Sequence, residues 1–153
     1  MKVALCHLEL SNGPEQKNIE LLEKAVRIAA EKGANWVITP ETAVQGYYFY
    51  KLAPETKVDK QPSSKLSCLL SLVKDYGLFL FLGCGEYDSE LNCNFNSCIV
   101  FEPSGEICGR HRKIISHSIG AEAWARTADV LKPIDCLNIK VGVLVCADAW
   151  YSE

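Results

Sequence analysis

The sequence predicts an α/β domain, on three observations. Short apolar runs such as Val3-Ala4-Leu5 and Leu78-Phe79-Leu80-Phe81-Leu82 are strand-sized, whereas residues 15–32 carry apolar side chains at helical spacing. Strand, helix and strand follow one another at the start of the chain, and such a crossover places its two strands parallel. No repeat, low-complexity stretch or linker divides the 153 residues, so residues 1–153 read as one domain of ordinary length.

Each element has its own signal. Residues 2–8 read as a buried strand. Asn12-Gly13-Pro14 is a turn, and Pro14 suits the first turn of a helix over residues 15–32, where Ile19, Leu22, Ala25, Val26 and Ala29 share a face. Lys32-Gly33 supplies a cationic last turn and a glycine stop. Residues 35–39 form the second strand, ended by Pro40. A loop rich in aromatics and charge spans residues 45–61 and opens on Gly46-Tyr47-Tyr48-Phe49-Tyr50. Ser63-Ser64 caps a second helix that carries Leu66, Leu69, Leu70 and Val73 on one face and closes at Gly77. Residues 78–83 are apolar throughout, as in a strand covered on both faces. Residues 95–101 and 106–113 make a hairpin about Glu102-Pro103-Ser104-Gly105, with proline second and glycine fourth as a type I turn prefers. Residues 122–128 form a short helix or ordered loop, and residues 134–139 and 140–146 are two last strands that meet at a tight connection.

Composition narrows the function. Hydrophobic residues at 48% and charged residues at 23% describe a globular chain. A net charge of −3 gives no electrostatic footprint for nucleic acid or an anionic membrane, and suits small neutral or polar substrates. The apolar run in Met1–Glu9 is too short for a secretory signal, and no stretch approaches the ~18 apolar residues of a membrane span. A soluble, cytoplasmic protein is expected. Eight cysteines suggest a disulfide set by number, but several lie in apolar runs, where cysteine acts as a small hydrophobe, and without a secretion signal reduced thiols are the default. No Cys-x-x-Cys pair occurs, and Cys93-x4-Cys98 has no second close pair, so neither metal nor cofactor is expected.

Three segments carry the chemistry: Thr39-Pro40-Glu41-Thr42, Arg110-His111-Arg112-Lys113 and Val145-Cys146-Ala147-Asp148-Ala149-Trp150. Each places a reactive side chain at or just past the end of a strand-like run, where α/β proteins gather catalytic groups. Singly, Glu41 reads as a solvated loop residue, Lys113 as a basic strand end and Cys146 as a packing residue. Jointly they form an acyl-transfer site. A free thiol titrates near 8.5 and a glutamate near 4.3, a gap worth roughly 5–6 kcal/mol against proton transfer. Burial raises the glutamate and an adjacent ammonium lowers the thiol, so a closed pocket can shrink that gap. The thiolate then attacks a carbonyl or nitrile carbon, while Lys113 and the backbone N–H of Ala147 stabilise the developing anion. Glu41 next serves the leaving amine as acid and activates water against the thioester. A Cys–His dyad drawn from His7, His111 or His117 is the competing assignment.

In this order and spacing the three segments closely resemble the nitrilase superfamily of carbon–nitrogen hydrolases. The resemblance runs nearly end to end and implies an α-β-β-α sandwich with a Glu-Lys-Cys triad. Carried over, Glu41 is the general base, Lys113 the stabiliser and Cys146 the nucleophile. Glu122, in Ala121-Glu122-Ala123-Trp124-Ala125, matches the second glutamate that holds the lysine in many members, and Asn96-Ser97 also fits the family pattern. Tyr47 and its aromatic neighbours are candidates for the substrate entrance, against ordinary loop packing. The implied reaction is hydrolysis of a small non-peptide amide, carbamoyl or nitrile bond, amide or carbamoyl before nitrile. A homo-oligomer is implied by the same resemblance.

Family members are considerably longer, and Tyr151-Ser152-Glu153 fall where the helix after the nucleophile should begin. The chain therefore reads as an N-terminal half, incomplete at its C-terminus, with an apolar sheet face left open and little activity expected in isolation. The alternative from another class is a non-catalytic half-domain that acts only with a partner. Thiol redox through paired cysteines would need a disulfide between residues expected to lie apart.

Overall fold

Alternate residues of a strand face opposite sides, and this period divides the apolar residues here between two cores. A computed structural model describes residues 1–116 and 119–150; His117 and Tyr151-Ser152-Glu153 lie outside the described residues. One sheet has the order β1-β2-β3-β4-β5: β1 is Val3–Leu5, β2 Trp36–Ile38, β3 Phe79–Asp88, β4 Cys93–Phe101 and β5 Ile107–Arg112. β2 runs parallel to both β1 and β3, whereas β3, β4 and β5 are antiparallel neighbours. The helix between β1 and β2, α1 (Glu15–Glu31), completes the predicted crossover.

The loop after β2 contains one helical turn, α2 (Phe49–Leu52). Ser63 then caps a short 3-10 turn by accepting from Lys65 N at 3.3 Å, and α3 (Ser67–Tyr76) continues to Gly77, whose left-handed φ of 61° ends it as expected. Ile19, Leu22 and Val26 of α1 and Leu69 and Val73 of α3 pack on Leu80, Leu82 and Ile99 of the sheet. Burial of each such side chain contributes about 1.5–3 kcal/mol. Phe79, Phe81, Cys98 and Val100, one residue out of step, face the other way. There they meet Ile134 and Cys136 of a second, two-stranded sheet made of β6 (Ile134–Cys136) and β7 (Ile139–Val141). The layers are helices, sheet and sheet, the order of the predicted sandwich.

Several boundaries differ from expectation, each for a physical reason. The first strand covers only Val3–Leu5 and is not buried: Val3 and Leu5 are 43% and 66% exposed, because β1 is an edge and its second face has no cover among the described residues. β3 does not stop at Gly83 but runs to Asp88, paired throughout from Leu80↔Phe101 to Asp88↔Cys93. Residues 122–128 start on a 3-10 turn, Gly120–Glu122, and continue as an ordered loop tied to the sheet by Arg126 N donating to Asn94 O at 2.8 Å. The last two strands are shorter than predicted and turn at Leu137-Asn138. Residues 142–145 are not strand, and Cys146 opens a 3-10 turn, Cys146–Ala149.

Candidate active site

Glu41 is placed by a handover at the end of β2. Thr39 N and Oγ1 both donate to Phe81 O, at 3.0 and 3.1 Å, and Gly83 N donates to Thr39 Oγ1 at 2.9 Å, so the chain stays on β3 as far as Pro40, which has no N–H. A Cβ on Gly83 would lie 2.1 Å from Pro40 O; only glycine permits this close approach. Thr42 follows with φ 48°, a left-handed geometry costly for a β-branched residue. Lys113 sits just past β5, where its N–H donates to Asn96 O at 2.8 Å and its carbonyl accepts from Ala128 N at 3.0 Å. Cys146 adopts φ 50°, a strained left-handed corner for a non-glycine residue.

These placements bring the predicted residues together. Lys113 Nζ, on a side chain only 1% exposed, donates to Glu41 Oε1 at 2.7 Å and forms a short ion pair with Glu122 Oε1. Asn96 Nδ2 donates to the same Glu41 oxygen at 2.8 Å and to Glu122 Oε1 at 3.4 Å, and Ser116 Oγ donates to Glu122 Oε2 at 3.4 Å. Burial pulls the Lys113 ammonium down, but hydrogen bonds and charge from Glu122 and Glu41 outweigh it and hold the group well above the ordinary lysine range. The Cys146 thiol, on an exposed residue, lies within the influence of the Glu41 carboxylate and the Ala147 N–H. Burial and the charge of Glu41 push this thiol above its usual range, with Lys113 pulling the other way. That corrects the expectation of an ammonium-lowered thiol: burial and the charge of Glu41 together outweigh the pull of Lys113.

Tyr47 is half-buried beside the cluster, and burial followed by the charges of Glu122 and Glu41 raises its phenol. Its neighbours divide: Phe49 packs on Trp124 with ring centroids 4.9 Å apart, while Tyr48 and Tyr50 turn outward. The histidine alternative loses support, since buried His111 binds Asp148 at 2.8 Å and His7 is exposed. His117 lies outside the described residues. The view that paired cysteines lie apart is also corrected, because Cys108 and Cys136 come close enough to influence each other where β5 meets β6, while Cys108 Sγ donates to Val100 O at 3.5 Å. Burial pushes the Cys108 thiol up to about 11, which suits packing rather than reactivity.

Asn96 and Asp148 do more than their place in the sequence announced. The only signals were Asn96 beside Ser97 on a strand and an aspartate two residues past the cysteine. Among the described residues no group of His, Cys, Asp and Glu could hold a metal ion, and no helix is long and apolar enough to cross a membrane.

A buried lysine between two carboxylates, with a thiol on one of them, can move a proton off sulfur and hold an anion beside it. Known proteins resemble the chain in sequence and in fold. The chain is 29% identical over 147 residues to omega-amidase NIT2 of Xenopus tropicalis, covering 91% of this chain and 52% of that protein. It is 30% identical over 164 residues to the citrullinase of Francisella tularensis, covering 100% and 55%. Saccharomyces cerevisiae Nit3, a member of the nitrilase superfamily, has the same fold, with a TM-score of 0.84 over 99% of this chain and 57% of that one at 23% identity. The chain thus spans about half the length of the curated relatives it matches. The profile of carbon-nitrogen hydrolases matches residues 2–153, and the chain belongs to that family.

Proposed function

We propose that residues 1–153 form the part of a carbon–nitrogen hydrolase domain that carries its Glu-Lys-Cys machinery, acting on a small amide, carbamoyl or nitrile substrate through a thioester. The observation that carries this reading is the Lys113 ammonium held between Glu41 and Glu122 with the Cys146 thiol on Glu41. Glu41 takes the thiol proton as sulfur attacks, so the nucleophile is made only as the new C–S bond forms. This suits a thiol held above its usual range. Lys113 and the Ala147 N–H face the oxyanion, and Glu122 with Asn96 fixes the lysine. Glu41 returns the proton to the leaving amine, then takes one from water to release the acid. Tyr47 lines the substrate side. Amide or carbamoyl substrates stand ahead of nitriles, in keeping with relatives named omega-amidase and citrullinase. A cytoplasmic setting suits eight unpaired cysteines, two of them in contact.

A second reading, a half-domain that works only in association, with a second copy or another partner, is favoured by one observation. The second face of β1 leaves Val3 and Leu5 open, and Leu144, just before the Cys146 turn, is 51% exposed. The experiment is intact-mass detection of an acyl adduct after incubating the chain with small amides and nitriles, alongside ammonia release. An adduct on Cys146, absent in Cys146→Ser and strongly reduced in Glu41→Gln, supports the hydrolase. The same adduct with little ammonia supports a site completed by a partner. No adduct with any substrate class overturns the enzymatic assignment.

A further inference from the structure

Asp148 takes no part in the chemistry above, yet it joins the two loops that supply it. Its side chain is 2% exposed. Oδ1 accepts from Ile114 N at 3.0 Å and Ile115 N at 2.8 Å, and Oδ2 accepts from Val145 N at 3.1 Å and lies 2.8 Å from His111 Nε2. His111, Ile114 and Ile115 bracket Lys113, while Val145 precedes Cys146. We propose that Asp148 and His111 form a positioning latch that fixes the Cys146 turn against the strand end carrying Lys113, and so holds the thiol on Glu41.

The turn needs such a hold. Residues 142–145 form no strand, so no ladder anchors its approach, and Cys146 itself occupies a left-handed backbone geometry that reverts unless its surroundings enforce it. The carboxylate can only accept, so His111 Nε2 carries the hydrogen, and Nδ1 has no hydrogen-bond partner among the described residues. The ring's hydrogen bond is therefore committed to Asp148. Burial raises the Asp148 carboxyl, but the bonds from His111, Ile115, Val145 and Ile114 outweigh it and keep the group below the usual carboxylate range, as a fully accepting anion requires.

The latch matters for catalysis only if Cys146 is the nucleophile, but its test reads the thiol without turnover, so failure of either proposal is distinguishable. In the full chain, alkylation of Cys146 by iodoacetamide is followed across pH by peptide-resolved mass spectrometry, with exposed Cys68 as internal reference. Asp148→Asn is expected to move the Cys146 profile to lower pH, because the freed turn no longer holds the thiol against Glu41, while the Cys68 profile stays put. His111→Ala moves it the same way. His111→Gln, which keeps a side-chain N–H donor, restores the parent profile. An unchanged Cys146 profile in folded Asp148→Asn overturns the latch. Should Asp148→Asn lose its far-UV circular dichroism, the histidine pair decides, and identical profiles for Ala and Gln overturn it.

Discussion

The two faces of the five-stranded sheet are held by different means. On the helix side, Leu22, Leu69, Leu80 and Leu82 are fully buried and most contacts are apolar, with buried Glu86 paired to Arg110 and Arg112 at one end. On the other side a small hairpin covers β3 to β5, β1 is open, and the most enclosed long side chain is a lysine. The first face is secured mainly by area removed from water. The second is secured at its polar end by charge, where one lost partner leaves the others stranded. If this face admits a substrate, as the proposed function requires, it cannot be sealed by hydrocarbon, and its rigidity has to come from bonds of fixed direction.

The largest expected effect tests that contrast directly. Lys113→Ala leaves Glu41 and Glu122 facing each other with no cation and should cost about 3–5 kcal/mol in urea unfolding. Leu82→Ala, on the helix side, should cost about 2–5 kcal/mol. If Lys113→Ala costs less than about 1 kcal/mol while Leu82→Ala costs the full amount, the charge cluster does not secure its face. The apolar part of the second face makes the complementary point: Leu5→Ala, at a residue 66% exposed, should stay within about 0.5 kcal/mol. A larger loss would mean that something covers β1 in solution.

Acid should weaken the two faces unequally. Asp148 lies below its ordinary range in the folded chain, so its contribution is complete above the unfolded value of about 3.9 and disappears as pH falls through the lower folded value. Urea midpoints of the parent chain and Asp148→Asn should therefore differ at about pH 6 and converge toward about pH 2. A difference that persists unchanged at low pH would show that the aspartate acts through packing rather than through its charge. Leu82→Ala, with nothing to titrate, should keep the same deficit throughout.

How far these arrangements could be read from the sequence follows from where their causes lie. Glu41, Lys113 and Cys146 could be singled out because each ends a strand-like run and the three together make one chemistry, whereas none is distinctive alone. Asn96 resisted because its role depends on register: the β4–β5 pairing and the Lys113 N–H bond to Asn96 O bring it under the lysine, and neither is written in its neighbours. Gly83-Cys84-Gly85 looked like a strand end, yet Gly83 is there so that Pro40 can approach, and β3 passes straight through. The opposite error occurred at residues 142–145. Their valines and leucine favour a strand, but a strand needs a ladder partner, and among the described residues none lies beside them.

The smallest effect sharpens the comparison at the hairpin that covers the second face. β6 and β7 are joined by Leu137-Asn138, and Leu137 sits at φ 56° with its side chain 76% exposed. Two-residue hairpin turns of this hand favour asparagine or glycine, and a leucine there pays in backbone strain with no packing in return. Leu137→Asn should stabilise the chain by about 1 kcal/mol, a rise of about 3 °C in Tm. The gain appears only if the hairpin is formed and unfolds together with the rest of the domain. An unchanged Tm would mean that the cover of the second face opens before the helix side gives way, making the weaker face a separate unfolding unit.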